Sequence, residues 1–167
     1  MGFFVYNSFM KRPSLLTLTL LLIIAAFIIS VALRTNNSSR ENYQTAEDLR
    51  FDTPIRVGNS FFSVFFATTV TQRARGLSGI KSLTPAQGLL MVFNAEDKWG
   101  IWMKDMNFPI DIVWFTTDGT IFYIKENISP QTFPEVFAPP ASARYVLELS
   151  AGAVKNSNLK IGDLLLY

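Results

Sequence analysis

The sequence predicts a mostly β fold (β-rich α+β), a compact antiparallel barrel-like domain with two short helices, preceded by one N-terminal transmembrane helix. Three observations carry this. From Thr53 onward, short β-rich runs alternate with turn signals at close spacing. Only two stretches carry helix punctuation. Residues 14–33, "SLLTLTLLLIIAAFIISVAL", hold no charge and match the hydrocarbon thickness of a bilayer. The chain therefore divides into a cytoplasmic stub and anchor (1–33), a polar tether (34–52) and a β domain (53–167).

Lys11 and Arg12 precede the apolar run and favour a cytoplasmic N-terminus. The expectation is a single pass through the inner (cytoplasmic) membrane, with the C-terminal domain extracytoplasmic. The alternative is a signal peptide cleaved near Ala32, since Ser30-Val31-Ala32 has the small-x-small pattern. The run is longer than a usual signal core and Arg34 follows it closely, which favours the uncleaved anchor. Residues 34–50, "RTNNSSRENYQTAEDLR", are poor in core formers and read as a tether.

The domain opens with Ile55–Val57, a Gly58-Asn59 turn and "SFFSVFFA", a first hairpin. Thr69 and Gln72 have capping-box spacing, and Gly76 supplies a left-handed residue after Arg75, so about two helical turns lie between them. After "SLTPAQG", residues 89–93 form an apolar strand. Trp99–Lys104 and Ile110–Thr116 are expected as neighbouring antiparallel strands joined by "DMNFP". Asp118-Gly119 marks a type I′ hairpin turn that pairs 110–117 with 120–125. "RYVLEL" (144–149) is a strand, Ser150 caps a short helix through Lys155, and "DLLLY" closes the fold. Residues 126–143 hold four prolines and read either as a lid or binding loop, or as a cover over a sheet edge.

Composition narrows the chemistry. The chain has neither Cys nor His, which removes thiol nucleophiles, thiolate and imidazole metal sites, and Ser-His-Asp catalysis. No cofactor and no metal site are expected. The formal charge of +2 is carried by Lys11 and Arg12, leaving the remainder balanced and without the basic footprint of a nucleic-acid binder.

Candidate site residues come from charges set among apolar neighbours. Lys104 and Asp111 bracket the expected hairpin loop, and strand neighbours about 5 Å apart would bring them within salt-bridge range. Such a pair serves either as a register pin or as a donor beside a carboxylate at a pocket mouth. Asp111 shares a strand face with Val113 and Phe115, so burial demands a partner. Glu148 shares a face with Arg144 and Val146; it either pairs with Arg144 or converges with Asp111, which would give paired carboxylates suited to hydrolysis. Asp163 is expected near the same rim. Trp99, Trp102 and Trp114 fill a β core or stack on a flat ligand.

Seven segments then bear a resemblance: "ATTVTQRARGL", "GLLMVF", "WMKDMNFPIDIVWF", "DG", "RYVLEL", "AG" and "GD". In order and spacing the chain from about residue 53 to its end resembles the domain of unknown function 192 family (DUF 192). The resemblance implies a compact barrel-like β fold and frequent export in bacteria, and it implies no reaction. It carries over Arg75, Gly76 and Leu77; Trp102, Met103 and Lys104; Pro109; Asp111; Glu148; Gly152; and Asp163. Ser78 and Ile80 depart from a family Met and Arg, and Phe65 and Phe66 stand where an acidic residue is common.

The functional expectation is an uncharacterised membrane-anchored extracytoplasmic domain that binds a small ligand or envelope component without catalysis. Ligand-binding candidates are Trp102, Lys104, Asp111, Glu148 and Asp163. Arg75, Gly76, Met103, Pro109 and Gly152 are expected to be structural. The alternatives are a hydrolase or lyase using Asp111 and Glu148 with Lys104, and a scaffold that docks membrane partners.

Overall fold

The computed structural model describes residues 24–30 and 49–167. Residues 24–30 are helical with exposed side chains. The rest of the apolar run read as an anchor, and the tether up to residue 48, lie outside the described residues. Among the described residues no helix is long and apolar enough to cross a membrane.

The β domain is a curled half-barrel. Strands β1 (Thr53–Val57) and β2 (Ser60–Ala67) form the expected hairpin. Helix α1 (Val70–Arg75) then crosses to β3 (Gln87–Asp97), which runs parallel to β2. The Thr69 hydroxyl accepts the Gln72 N–H at 3.2 Å, and the Gln72 side chain returns to the Thr69 N–H at 3.1 Å. This reciprocal cap lets a six-residue helix stand in a connection too short to be stable alone.

β5 (Ile110–Phe115), β6 (Ile121–Ile128), β8 (Ala143–Ser150) and β9 (Leu165–Leu166) complete a seven-stranded sheet in the order β6-β5-β8-β3-β2-β1-β9. The curl brings its two edges together at one end. Leu165 N–H donates to the Gly119 carbonyl at 2.8 Å and Ile121 N–H to the Asp163 carbonyl at 2.9 Å. A Cβ on Gly119 would stand 3.0 Å from the Leu165 carbonyl oxygen, so this closure needs glycine there. Gly119 has φ +82°, whereas Asp118 is not in positive φ. The turn is therefore not type I′; Gly119 N–H bonds back to the Thr116 carbonyl, and the pairing shifts register beside it.

Both faces of the sheet are buried. Val64, Leu90, Val113, Phe115, Leu147 and Leu149 fill the inside of the curl. Leu89, Met91, Ile112, Trp114 and Val146 point outward into a second apolar layer. That explains why β5 is buried at all six positions instead of alternating. Each fully buried Leu, Ile or Phe contributes about 1.5–3 kcal/mol, so two layers give this small domain a sufficient core.

The outer layer is roofed by the segment expected to be a lid or an edge cover. β4 (Ile101–Trp102) pairs with β7 (Val136–Phe137) in a separate two-stranded ribbon. This corrects the reading of 99–104 and 110–116 as paired neighbours: β5 lies between β6 and β8. The second helix, α2, spans Ala153–Asn156 with Gly152 as its N-cap, not Ser150, which ends β8.

Candidate functional site

Asp111 is fully buried on the inner face of β5. Its Oδ1 accepts the Asn127 N–H at 2.8 Å and its Oδ2 accepts the Val154 N–H at 3.0 Å. Both donors are main-chain groups that regular structure leaves over. Asn127 sits at φ +55° where β6 shifts register against β5. Val154 is the second residue of α2, whose glycine N-cap has no side chain to offer. One carboxyl group thus ties a bulge to a helix start, which meets the demand that a buried polar group be hydrogen-bonded.

Lys104 is not its partner. Because β4 pairs with β7, Lys104 lies beyond a ribbon on the outer side and is exposed. Its Nζ stands 5.7 Å from the centroid of the Trp102 ring, and its carbonyl accepts the Ser78 hydroxyl at 2.7 Å. The expected Lys104–Asp111 salt bridge does not form.

Glu148 faces the other way. Along β8 it stands opposite Leu89 of β3 and Ile112 of β5, both in the outer layer. Asp111 stands opposite Leu149, which belongs to the inner core. The two carboxylates consequently point to opposite faces of one sheet, and the expected catalytic pairing is geometrically excluded.

Glu148 is 3% exposed, and its Oε2 is buried with no hydrogen-bond partner. A main-chain hydrogen bond from Leu77 supports the ionised form, but desolvation dominates and pushes the carboxyl up to about 8. At neutral pH the side chain is mainly a neutral acid. Gly76 makes room for it: a Cβ there would lie 3.2 and 3.3 Å from the two carboxyl oxygens. Its φ of +54° and ψ of −133° fall outside the left-handed helical region expected from the cap reading, in space that glycine alone enters readily.

The carboxyl borders a cavity of about 250 Å³. The end of α1 and the turn after it supply one wall, through Arg73, Arg75, Gly76 and Leu77. Met91, Ile101, Trp102 and Met106 supply apolar surface. The Arg73 guanidinium is fixed by the carbonyls of Thr68 and Val92 and lies 5.0 Å from the Phe93 ring centroid. Trp102 is 46% exposed and meets Phe133 edge-on, with ring centroids 5.8 Å apart. The walls are stitched together by Gly79 N–H to the Asp105 carbonyl and by the Asn107 amide to the Ile80 carbonyl, both 2.9 Å.

Other residues singled out by sequence lie elsewhere. Asp163 accepts the Lys160 N–H at 3.0 Å and borders a separate polar hollow of about 130 Å³ beside Gly58 and Asn59. It is no part of the Glu148 cavity. Met103 is buried in the outer layer, and the Pro109 carbonyl accepts the Ala151 N–H at 3.1 Å. Trp114 is buried and donates to the Trp99 carbonyl at 2.9 Å, while Trp99 stacks on Phe93 at 4.0 Å. Sequence reasoning missed Met91, Met106 and Arg73. The Arg-x-Arg run beside the Gly76 turn was the available signal for Arg73. Among the described residues no three His, Cys, Asp or Glu side chains cluster as a metal site would require.

The comparisons agree with this architecture. A proposed transcription regulator from Sinorhizobium meliloti 1021 is 31% identical, with a TM-score of 0.64 over 67% of this chain and 90% of its own. A protein of unknown function from Novosphingobium aromaticivorans DSM 12444 is 24% identical, with a TM-score of 0.65 over 68% of this chain and 84% of its own, and supports the fold alone. No curated protein matches. The family model DUF192 (Uncharacterized ACR) matches residues 53–167, and the chain belongs to that family.

Proposed function

We propose that this protein is a membrane-anchored, extracytoplasmic member of the DUF192 family that binds a small ligand or envelope component in the cavity over Glu148, without chemistry of its own. The observation that carries the reading is the Glu148 Oε2, a buried polar atom without a partner at the wall of a cavity. A lone orphaned group of this kind costs stability unless something occupies the site. The half-exposed Trp102 beside it offers a flat apolar wall. The anchor rests on the uncharged run 14–33 and the preceding Lys11 and Arg12.

Hydrolysis by two carboxylates is not carried forward, because Asp111 and Glu148 face opposite sides of the sheet. Docking of membrane partners has less support than ligand binding. The exposed Trp102, Phe133 and Val136 lie on or beside the ribbon that walls the cavity, where they suit ligand entry.

Two measurements test the proposal. Protease added to intact spheroplasts should digest or release the domain, and protection would reverse its orientation. A protein-observed fragment screen on the full chain, with the Met91 and Met106 methyls labelled, should return binders that shift both methyls and the Trp102 indole together. Binders that shift only resonances elsewhere would remove the cavity from the account.

A further inference from the structure

We propose that the cavity takes a small carboxylate with a flat apolar body, one ligand oxygen meeting the unpartnered Oε2 of Glu148 and the body resting against Trp102. The assignment depends on the ligand-cavity reading above and names its ligand class.

Three features lead to it. First, the Leu77 N–H supports one Glu148 oxygen while Oε2 has no partner. A neutral carboxyl with a free oxygen presents an O–H donor, and that donor calls for an acceptor. Second, the other charged groups bordering the cavity are Arg73 and Arg75, both cationic and both from α1. The strands beside Glu148 contribute Leu89, Met91 and Ile112, and the adjoining turn contributes Leu77, none of them titratable. Lys104 lies outside the lining with its ammonium over the Trp102 ring. These surroundings favour an anion and oppose a cation. Third, a dry cavity of about 150 Å³ accommodates benzene, so the roughly 250 Å³ here admits a ring bearing one carboxylate.

The chemistry fixes a pH signature. Glu148, raised to about 8, retains its proton below that pH and receives a carboxylate with no net proton change. Above it, binding must take up a proton, so affinity falls about tenfold per pH unit. An amine would behave oppositely. It would expel the proton, and its affinity would rise with pH until Glu148 is ionised.

The test titrates benzoate, benzylamine and benzyl alcohol into the full chain in detergent micelles, from about pH 6 to about pH 10, while the Met91 and Met106 methyls report the site. Benzoate should bind there with flat affinity to about pH 8 and a roughly tenfold loss per unit beyond. Glu148→Gln keeps a donor without titrating and should make the profile flat throughout. Trp102→Ala should weaken benzoate while leaving the fold intact, since that residue is half exposed. Benzylamine or benzyl alcohol binding at least as well as benzoate would overturn the carboxylate assignment and leave the cavity reading standing. An unchanged pH profile in Glu148→Gln would overturn the role given to Glu148. If none of the three probes moves Met91 or Met106, the carboxylate assignment and the benzoate-sized cavity site fall together, whereas a positive fragment screen with other chemistries would separate the two.

Discussion

Asp111 and Glu148 occupy neighbouring strands one register step apart, Asp111 opposite Leu149 and Ile112 opposite Glu148, and their side chains leave the sheet on opposite faces. The inner carboxylate is consumed by two main-chain N–H groups. The outer one keeps an unpartnered oxygen at a cavity wall. Their divergence separates a folding role for Asp111 from the binding role proposed for Glu148 within a single motif-bearing sheet.

Asp111→Ala strands two N–H donors, one buried and one part-buried, and should destabilise the domain by about 2–6 kcal/mol, taking roughly 1–3 for each orphaned group. Asp111→Asn retains one acceptor and should cost less. Denaturant midpoints at unchanged m-value decide this. A loss of under about 0.5 kcal/mol for the alanine variant would contradict the assignment.

Lys104→Met should change stability by less than about 0.5 kcal/mol, because the side chain is exposed and its visible cation contact is the Trp102 ring. Combined with Asp111→Ala, the effects should add within about 0.3–0.5 kcal/mol. A larger coupling energy in a double-mutant cycle would restore the ion pair that the geometry denies.

Local features of the sequence were legible where their chemistry is local. Thr69 and Gln72 announced the helix cap, Gly58-Asn59 the first hairpin, and the alternation along β8 placed Glu148 on the Arg144 and Val146 face. Partner choice was not legible. The apolar runs 99–104 and 110–116 look like adjacent strands, yet β4 pairs with Val136–Phe137 far along the chain, a non-local choice that no short-range signal encodes. The same error made Lys104 the apparent partner of Asp111, when the real partners are main-chain groups of Asn127 and Val154 that carry no sequence signature.

Glu148 should give the domain an unusual stability profile. Its carboxyl is raised from 4.5 in the unfolded reference to about 8 in the fold, so between those values the native state holds more protons. Its contribution is fully present below about 4.5 and is lost as pH rises through about 8, opposite to a salt-bridged carboxylate. Relative to Glu148→Gln, the wild-type chain should lose on the order of a few kcal/mol across this window. Parallel pH profiles for the two proteins would contradict the buried-acid account.

Gly76→Ala should destabilise by about 1–3 kcal/mol, since alanine is strained at φ +54° and its Cβ would press on the Glu148 carboxyl at 3.2 Å. The substitution should also disturb the Glu148 titration. A thermal shift assay measures the first effect, and a neutral outcome would show that the turn relaxes freely.

A ¹³C-NMR titration of the Glu148 side-chain carboxyl, assigned by comparison with Glu148→Gln, tests the central claim most directly. The account predicts a midpoint near 8, with a neutral acid at the cavity wall at physiological pH. A midpoint near 4.5, the ordinary value for a solvated glutamate, would mean that the group is ionised and hydrated in the fold, and would contradict the account.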